Sequence, residues 1–285
     1  MCRTKKSGLF LGVLVFLVMA AGYAHAHLPV VDLGGFSFPV GSSVRLTAGL
    51  AEPLVTMVYS RELLLARGYA GDPGVANLSG AVFYADGEKA LLDQAVFTPV
   101  NLTDPANVNP ASADADVAVF KVEKPGTVAV AMRLDFNSGT RPTVAFGKTF
   151  VNRAADGVAN RRLGGDDVLE VVFTDDDASV AVKPGDTVNA QVFLRGKPLA
   201  NAEVSATYDG APRHADSEEP DNNEYLHADT NAEGKVAFVV DRTANWVIGV
   251  EYVDESHDPQ NPAYAPSKGV RYRGTIFFPV TAEGK

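Results

Sequence analysis

Short runs in which apolar and polar residues alternate, or in which β-branched residues follow one another, recur along most of the chain. Glycine, proline, aspartate and asparagine bound these runs, which is the pattern of β-strands separated by turns. The clearest runs lie at 44–48, 117–122, 128–134, 168–173, 188–194 and 236–240. Between two further runs, Asp86-Gly87 predicts a hairpin turn. The pattern therefore predicts an all-β fold class.

One segment has the pattern of a helix instead. Ser60 suits its N-cap, residues 61–67 supply the turns, and Gly68 suits its C-cap. We expect this helix to lie within a long insertion, around residues 60–115, in the first half of the chain.

Two stretches of the chain repeat one pattern. Residues 120–130 and 238–248, which are 118 positions apart, each read as a strand, a tight turn and a second strand. A period of this size indicates a duplicated domain rather than a solenoid. Because the strands are short and no helical periodicity alternates with them, we predict two Ig-like β-sandwich domains. We place these domains at 27–160, with the insertion, and at 165–285.

The N-terminus has the pattern of a secretory signal peptide. Three basic residues within the first six precede an apolar run at 9–21, and small residues follow it. Cleavage is expected after Ala24, with Ala26 as the other option. The apolar run is shorter than the roughly 20 residues of a comfortable membrane span, although an uncleaved anchor is the alternative interpretation. We therefore expect an exported, periplasmic protein.

Composition narrows the class of function. With 46% hydrophobic and 21% charged residues the chain is globular, and a formal net charge of −10 argues against nucleic acid as a partner. The one cysteine, Cys2, lies within the predicted signal peptide. The mature chain would then have no disulfide, no zinc–thiolate site and no thiol nucleophile.

The sequence His25-Ala26-His27 is the sharpest candidate for metal binding. If cleavage follows Ala24, the new amine, two backbone amides and the His27 imidazole form a square-planar nitrogen set that suits Ni(II) or Cu(II). If cleavage follows Ala26, the amine and imidazole of His27 chelate an ion from one residue. The alternative interpretation is that both histidines are merely exposed polar residues.

Two loops supply further candidate ligands. The loop at 209–229 contains His214 and His227 among several carboxylates, and residues 254–258 place His257 in similar surroundings. Imidazoles among carboxylates suit a weakly held divalent cation. Solvated loops without a ligand are the plainer explanation for both charge runs.

The second half carries an ordered set of segments that resembles a known family. The segments are Val168–Phe173, Val182–Val188, Gly196–Val204, Thr230–Phe238, Asn245–Tyr252 and Tyr272–Phe278. Their order is similar to that of the NikM/NikK-like periplasmic accessory proteins of energy-coupling-factor transporters, many of which are described only as a domain of unknown function. The first half matches more loosely, through Lys124-Pro125-Gly126 and the histidines after the signal peptide.

The resemblance implies a binding protein that supports nickel or cobalt uptake. Its partners would be the subunits of an energy-coupling-factor-type transporter, so the protein would meet the membrane only through a partner. The chain has no Gly-rich phosphate loop, Gly-x-Ser-x-Gly elbow or His-Glu-x-x-His motif, so we do not expect an enzyme. The alternatives are a surface Ig-like interaction or structural module without metal, and a copper-binding protein or copper oxidase that uses an N-terminal histidine.

Overall fold

The structure is a computed structural model that describes residues 28–52, 56–59, 76–109, 113–138, 141–175, 182–209, 211, 226–256 and 269–282. Within these residues the chain is nearly all β, with one short 3₁₀ turn at Gln94–Val96. The predicted fold class is therefore confirmed. The helix expected at 61–67 lies outside the described residues.

The strands divide into two sets along the chain. The first set is β1 (Leu28–Asp32), β2 (Ser43–Glu52), β3 (Thr56–Tyr59), β4 (Ala76–Phe83), β5 (Lys89–Leu92), β6 (Thr98–Val100), β7 (Ala115–Lys121), β8 (Val128–Ser138) and β9 (Arg141–Val151). The second set is β10 (Leu169–Phe173), β11 (Thr187–Leu194), β12 (Lys197–Pro198), β13 (Glu203–Tyr208), β14 (Leu226–Asp229), β15 (Lys235–Val239), β16 (Ala244–Asp254) and β17 (Val270–Val280). Each run predicted from the sequence lies within or overlaps one of these strands, and β4 and β5 form the hairpin expected around Asp86-Gly87.

The strands of both sets share one large central sheet. Its order is β14-β13-β16-β17-β9-β8-β4-β5. A first outer sheet contains β1, β2, β3, β7 and β6, and a second outer sheet contains β10, β11, β12 and β15. Every pair within the described sheets is antiparallel except β9 with β17, which run parallel at the centre. The two sandwiches are thus joined through a continuous sheet.

The two sets repeat the same architecture. In the first, the Gly41 amide donates to the Val122 carbonyl at 2.7 Å, and the Val122 amide donates back to Ser42. In the second, the Gly185 amide donates to the Val240 carbonyl at 2.7 Å, and the Val240 amide donates back to Asp186. Both glycines have positive φ, which a residue without Cβ adopts without strain. In each half the hydrogen bonds link the turn before one outer-sheet strand, β2 or β11, to the end of its partner strand, β7 or β15. The two halves match here, as the internal repeat predicts.

The outer sheets pack on opposite faces of the central sheet. Along β17, Ile276 and Phe278 belong to the core beneath the second outer sheet, while Phe277 packs with Val30 of β1. Successive side chains of a strand point to opposite faces, so the first core forms beneath the first outer sheet and the second core beneath the second outer sheet. β9 and β17 run parallel, and the two outer sheets cover opposite faces of the central sheet. The two halves are therefore related by a pseudo-two-fold axis that runs along the strand direction between β9 and β17.

Two glycines allow the outer layers to approach the central sheet closely. A Cβ on Gly147 of β9 would lie 3.2 Å from the carbonyl oxygen of Pro29 in β1. A Cβ on Gly274 of β17 would lie 2.5 Å from the carbonyl oxygen of Leu169 in β10. The first strand of each set, β1 or β10, thus crosses the central sheet at a glycine, where no side chain separates the two backbones.

A buried ion pair fixes the connection between the two sets. The Lys148 ammonium donates to the Glu170 carboxylate at 2.8 Å, and both side chains are within 1% of full burial. Glu170 also accepts the backbone amides of Leu163 and Gly164. Burial lowers the pKa of Lys148, while the charge of Glu170 acts against that change. One carboxylate therefore anchors both the central sheet and the linker.

The predicted domain boundary at 160–165 falls in this linker and stays a prediction. The core beneath the second outer sheet includes Phe146, Phe150, Val158 and Ala159, which precede that boundary. Apolar side chains from both sides of the boundary therefore contribute to one core.

Candidate functional site

Of the five histidines predicted as metal ligands, the described residues contain His227. It lies in β14, the strand at one end of the central sheet. His25, His27, His214 and His257 lie outside the described residues. The described residues thus place one of the five histidines, His227, and the candidate site is centred on it.

His227 lies beside a carboxylate of the neighbouring strand. Its Nδ1 is 3.1 Å from Oε1 of Glu203, and the two side chains are 40% and 51% exposed. The register pairs His227 with Ser205 and Glu203 with Asp229, so the two side chains are diagonal neighbours on one face. A histidine that ligates a metal commonly has its other ring nitrogen held by a carboxylate in this way.

The face that carries His227 also receives the start of β1. Cross-strand pairing aligns His227 with Ser205, Ser205 with Gly249, and Gly249 with Thr275. The Thr275 hydroxyl donates to the Pro29 carbonyl at 2.6 Å. Three strand spacings separate Thr275 from His227, which is about 14 Å. The start of β1 therefore lies on the same face of the central sheet as His227, against the same row of cross-strand neighbours.

The adjacent charged cluster on this face is internally compensated. Glu251 lies 3.2 Å from Nε of Arg271 and accepts a hydrogen bond from Nε of Arg273 at 2.8 Å. Burial lowers the pKa of Arg273, and the charge of Glu251 opposes that change. Because two guanidinium groups surround this carboxylate, Glu251 is a poor donor for a cation compared with the exposed Glu203.

The donor set at β14 fits a borderline divalent ion in part. Imidazole nitrogen suits Ni(II), Co(II) and Zn(II) better than Ca(II) or Mg(II), whereas carboxylate oxygen also suits the harder ions. Among the described residues no group of three or more histidine, cysteine, aspartate or glutamate side chains is placed to hold a metal. His227 is thus one candidate ligand, and Glu203 is the carboxylate that holds its Nδ1.

A concave region lies at the edge of the second outer sheet, away from His227. This cleft of about 650 Å³ is lined by the β11–β12 turn, Asp166 and Asp254. Arg195 and Lys197 contribute two positive charges, which the two aspartates balance, and Nη1 of Arg195 is 3.8 Å from Asp254. With no excess of either charge, the cleft selects no ionic class of ligand.

Sequence reasoning found His227 but not Glu203. Glu203 lies 24 positions before His227, at the start of a strand with no charge run around it. Its position beside His227 depends on the register of β13 against β14, and a single sequence carries no direct signal of that register.

A protein-family model matches more than half of the chain. Residues 73–254 match the model described as "Domain of unknown function (DUF4198)". The chain belongs to the DUF4198 family. That match extends from before β4 to the end of β16 and therefore includes the His227–Glu203 pair.

Other comparisons add little to the family assignment. No curated protein matches the chain. Among solved structures, "D0-D1 domain of Intimin" matches at 13% identity and a TM-score of 0.21, covering 88% of this chain and 96% of that one. At that TM-score the likeness supports no inference about fold or function. In the described part of the DUF4198 chain, no helix is long and apolar enough to cross a membrane.

Proposed function

We propose that this DUF4198 protein is an exported, periplasmic binder of divalent transition metal that supports nickel or cobalt uptake by an energy-coupling-factor-type transporter. The observation that carries the proposal is the exposed His227–Glu203 pair, on the face that receives the start of β1. The protein would hand over an ion rather than transform a substrate, so we propose a binding protein and not an enzyme.

The N-terminal histidines supply the stronger half of the proposed chemistry. His27 immediately precedes Leu28, the first residue of β1, so one peptide unit tethers it to a strand held by Thr275. Processing after Ala24 or Ala26 would create a free amine close to the His27 imidazole. Together these nitrogens favour Ni(II), Co(II) or Cu(II) over harder cations.

His227 supplies the weaker half of the proposed chemistry. A single imidazole with a carboxylate partner holds a divalent ion loosely, because each further ligand adds affinity. An ion held this way at an exposed edge is available to a partner protein. Carboxylates and imidazoles in the adjoining loops, including His214 and His257, are proposed as additional ligands on sequence grounds alone.

Titration calorimetry of the processed protein with Ni(II), Co(II) and Cu(II) tests the proposal. We expect His27→Ala, or one extra residue at the N-terminus, to weaken binding by at least about tenfold because the terminal chelate is lost. His227→Ala and Glu203→Gln should each weaken binding by about two- to tenfold. Glu233→Gln, an exposed carboxylate in the turn after β14, is the matched control and should change nothing.

Each outcome of the titration has a defined meaning. Unchanged affinity in the N-terminal variants, with loss in His227→Ala, would move the principal site to the 209–229 loop. Copper bound with strong preference over nickel and cobalt would favour the copper-binding alternative. Absence of binding in the parent protein would contradict the proposal and leave the surface interaction module as the better account.

A further inference from the structure

The other end of the central sheet, β5, has an exposed apolar residue on its outer face. Leu91 is 65% exposed, whereas the next residue, Leu92, lies in the first core. Val96, in the 3₁₀ turn directly after β5, is 47% exposed. A terminal strand with exposed apolar side chains is a template for pairing with another strand.

The backbone of β5 directs hydrogen-bonding groups toward the edge of the sheet that no described strand covers. The Tyr84 amide donates to the Glu88 carbonyl, and hydrogen-bonded pairs alternate along an antiparallel ladder. Ala90 and Leu92 therefore direct their amide and carbonyl groups to β4. Lys89 and Leu91 direct theirs outward, beyond the last of the described strands in the sheet.

The edge is complementary to itself. If two copies of β5 pair in antiparallel fashion about a two-fold axis at Leu91, each Leu91 lies opposite its own copy. Lys89 of one copy then lies opposite Asp93 of the other, on the same face as Leu91. Both charged residues are exposed. Opposite charges at directly paired positions stabilise a strand pair, and two such pairs flank the central leucines.

We propose that the protein forms a two-fold symmetric homodimer in which β5 of one copy adds to β5 of a second copy. This pairing extends the central sheet across the axis and uses the outward groups of Lys89 and Leu91. An isologous contact of this kind closes on itself and gives a dimer rather than a fibre. The proposal is independent of metal binding.

The contact is short, which sets the expected strength. Pairing of residues 89–93 covers less surface than a standard stable interface, so we expect a dissociation constant of roughly 1–100 μM. Sedimentation velocity of the purified protein at concentrations spanning that range should show a reversible monomer–dimer equilibrium with no larger species.

Charge exchange tests the register of the pairing. Lys89→Asp and Asp93→Lys should each place like charges opposite each other and raise the dissociation constant by about tenfold. The double variant, which exchanges the two charges, should return it close to the parent value. Leu91→Lys should abolish the dimer, since it places two ammonium groups at the axis.

Cross-linking tests the axis directly. In a Cys2→Ser background, Leu91→Cys places two sulfurs across a hydrogen-bonded pair whose Cα atoms are about 5.5 Å apart, within disulfide range. Mild oxidation should therefore yield a covalent dimer. Val119→Cys, at a site 61% exposed on the first outer sheet, is the matched control and should stay monomeric.

Three results would overturn the proposal. The first is a monomer throughout the concentration range. The second is a dimer that is indifferent to Lys89→Asp and Leu91→Lys. The third is equal cross-linking through Leu91→Cys and Val119→Cys. Circular dichroism of each variant separates loss of dimer from loss of fold.

Discussion

The two end strands of the central sheet, β5 and β14, are equivalent strands of the repeated unit, but the side chains on their outer faces differ in chemical character. In β5, Leu92 faces the first core and Leu91 lies on the outer face. In β14, Ala228 packs against the second core and His227 lies on the outer face. Each outward residue immediately precedes its inward neighbour, and an aspartate follows in both strands. Leu91 and His227 therefore occupy equivalent places.

The strands next to these two, β13 and β4, also carry different side chains at equivalent positions. Glu203 of β13 lies diagonally beside His227, while Ser79 of β4 takes the corresponding place beside Leu91. One edge thus pairs imidazole with carboxylate, and the other presents leucine between a lysine and an aspartate. The outer edge positions of the duplicated scaffold are not constrained by either core, so the two edges can carry different side chains.

Separating the two halves is expected to have the largest effect. A fragment that begins at residue 165 lacks β9, the parallel partner of β17, and lacks Phe146 and Phe150 of the second core. Each missing aromatic residue accounts for about 3–5 kcal/mol. We expect urea denaturation of the fragment to show no cooperative transition, or one far below that of the full chain. A fragment as stable as the full chain would show that the halves are independent.

Breaking the buried ion pair is expected to have the next largest effect. Glu170→Leu leaves Lys148 as a buried unpaired cation and removes the acceptor of two linker amides, which should cost about 3–5 kcal/mol. Asp166→Asn is the matched control, because it removes an exposed partner of Arg162 and should cost at most about 1 kcal/mol. Chemical denaturation measures both. Equal effects would mean that the linker is not anchored through Glu170.

Alanine substitutions at the two glycine crossing points should lower the free energy of unfolding by different amounts. Gly274→Ala forces a Cβ against the Leu169 carbonyl oxygen and should cost about 1–3 kcal/mol. The nearest atoms to a Cβ in Gly147→Ala are the Thr275 hydroxyl at 3.0 Å, Val31 at 3.1 Å and the Pro29 carbonyl oxygen at 3.2 Å, all farther than the 2.5 Å contact at Gly274. Thermal unfolding should therefore show a smaller loss for Gly147→Ala. The reverse order would contradict the description of the two layers.

Transplanting one edge onto the other should give the smallest effect on stability and the sharpest test of equivalence. Leu91→His with Ser79→Glu should reproduce the β14 pair on β5, at a cost within about 0.5 kcal/mol because both sites are on the surface. In a His227→Ala background, the double variant should regain the Ni(II) affinity lost at β14. Leu91→His alone should regain less. No gain in either would mean that the two edges differ in more than these side chains.

The strands and turns could be predicted from the sequence because their signals are local. Apolar alternation at 128–134 and the Asp86-Gly87 turn need no knowledge of the rest of the chain. The shared sheet could not be predicted, since β9 and β17 pair residues such as Thr143 and Arg271, far apart in sequence. His227 could be identified as a candidate from its residue type. Its partner Glu203 depends on strand register, which a sequence pattern does not specify.

The most direct test of the proposed function is nuclear magnetic resonance of the processed, isotope-labelled protein titrated with paramagnetic Co(II). The account predicts line broadening and shifts at Leu28–Val30, at the Thr275 row and around His227, with little change at Arg195 in the cleft. Lowering the pH below about 6 should reverse the changes at Leu28–Val30, since the imidazole of His27 must be neutral to ligate. Broadening confined to the cleft, or none at millimolar Co(II), would contradict it.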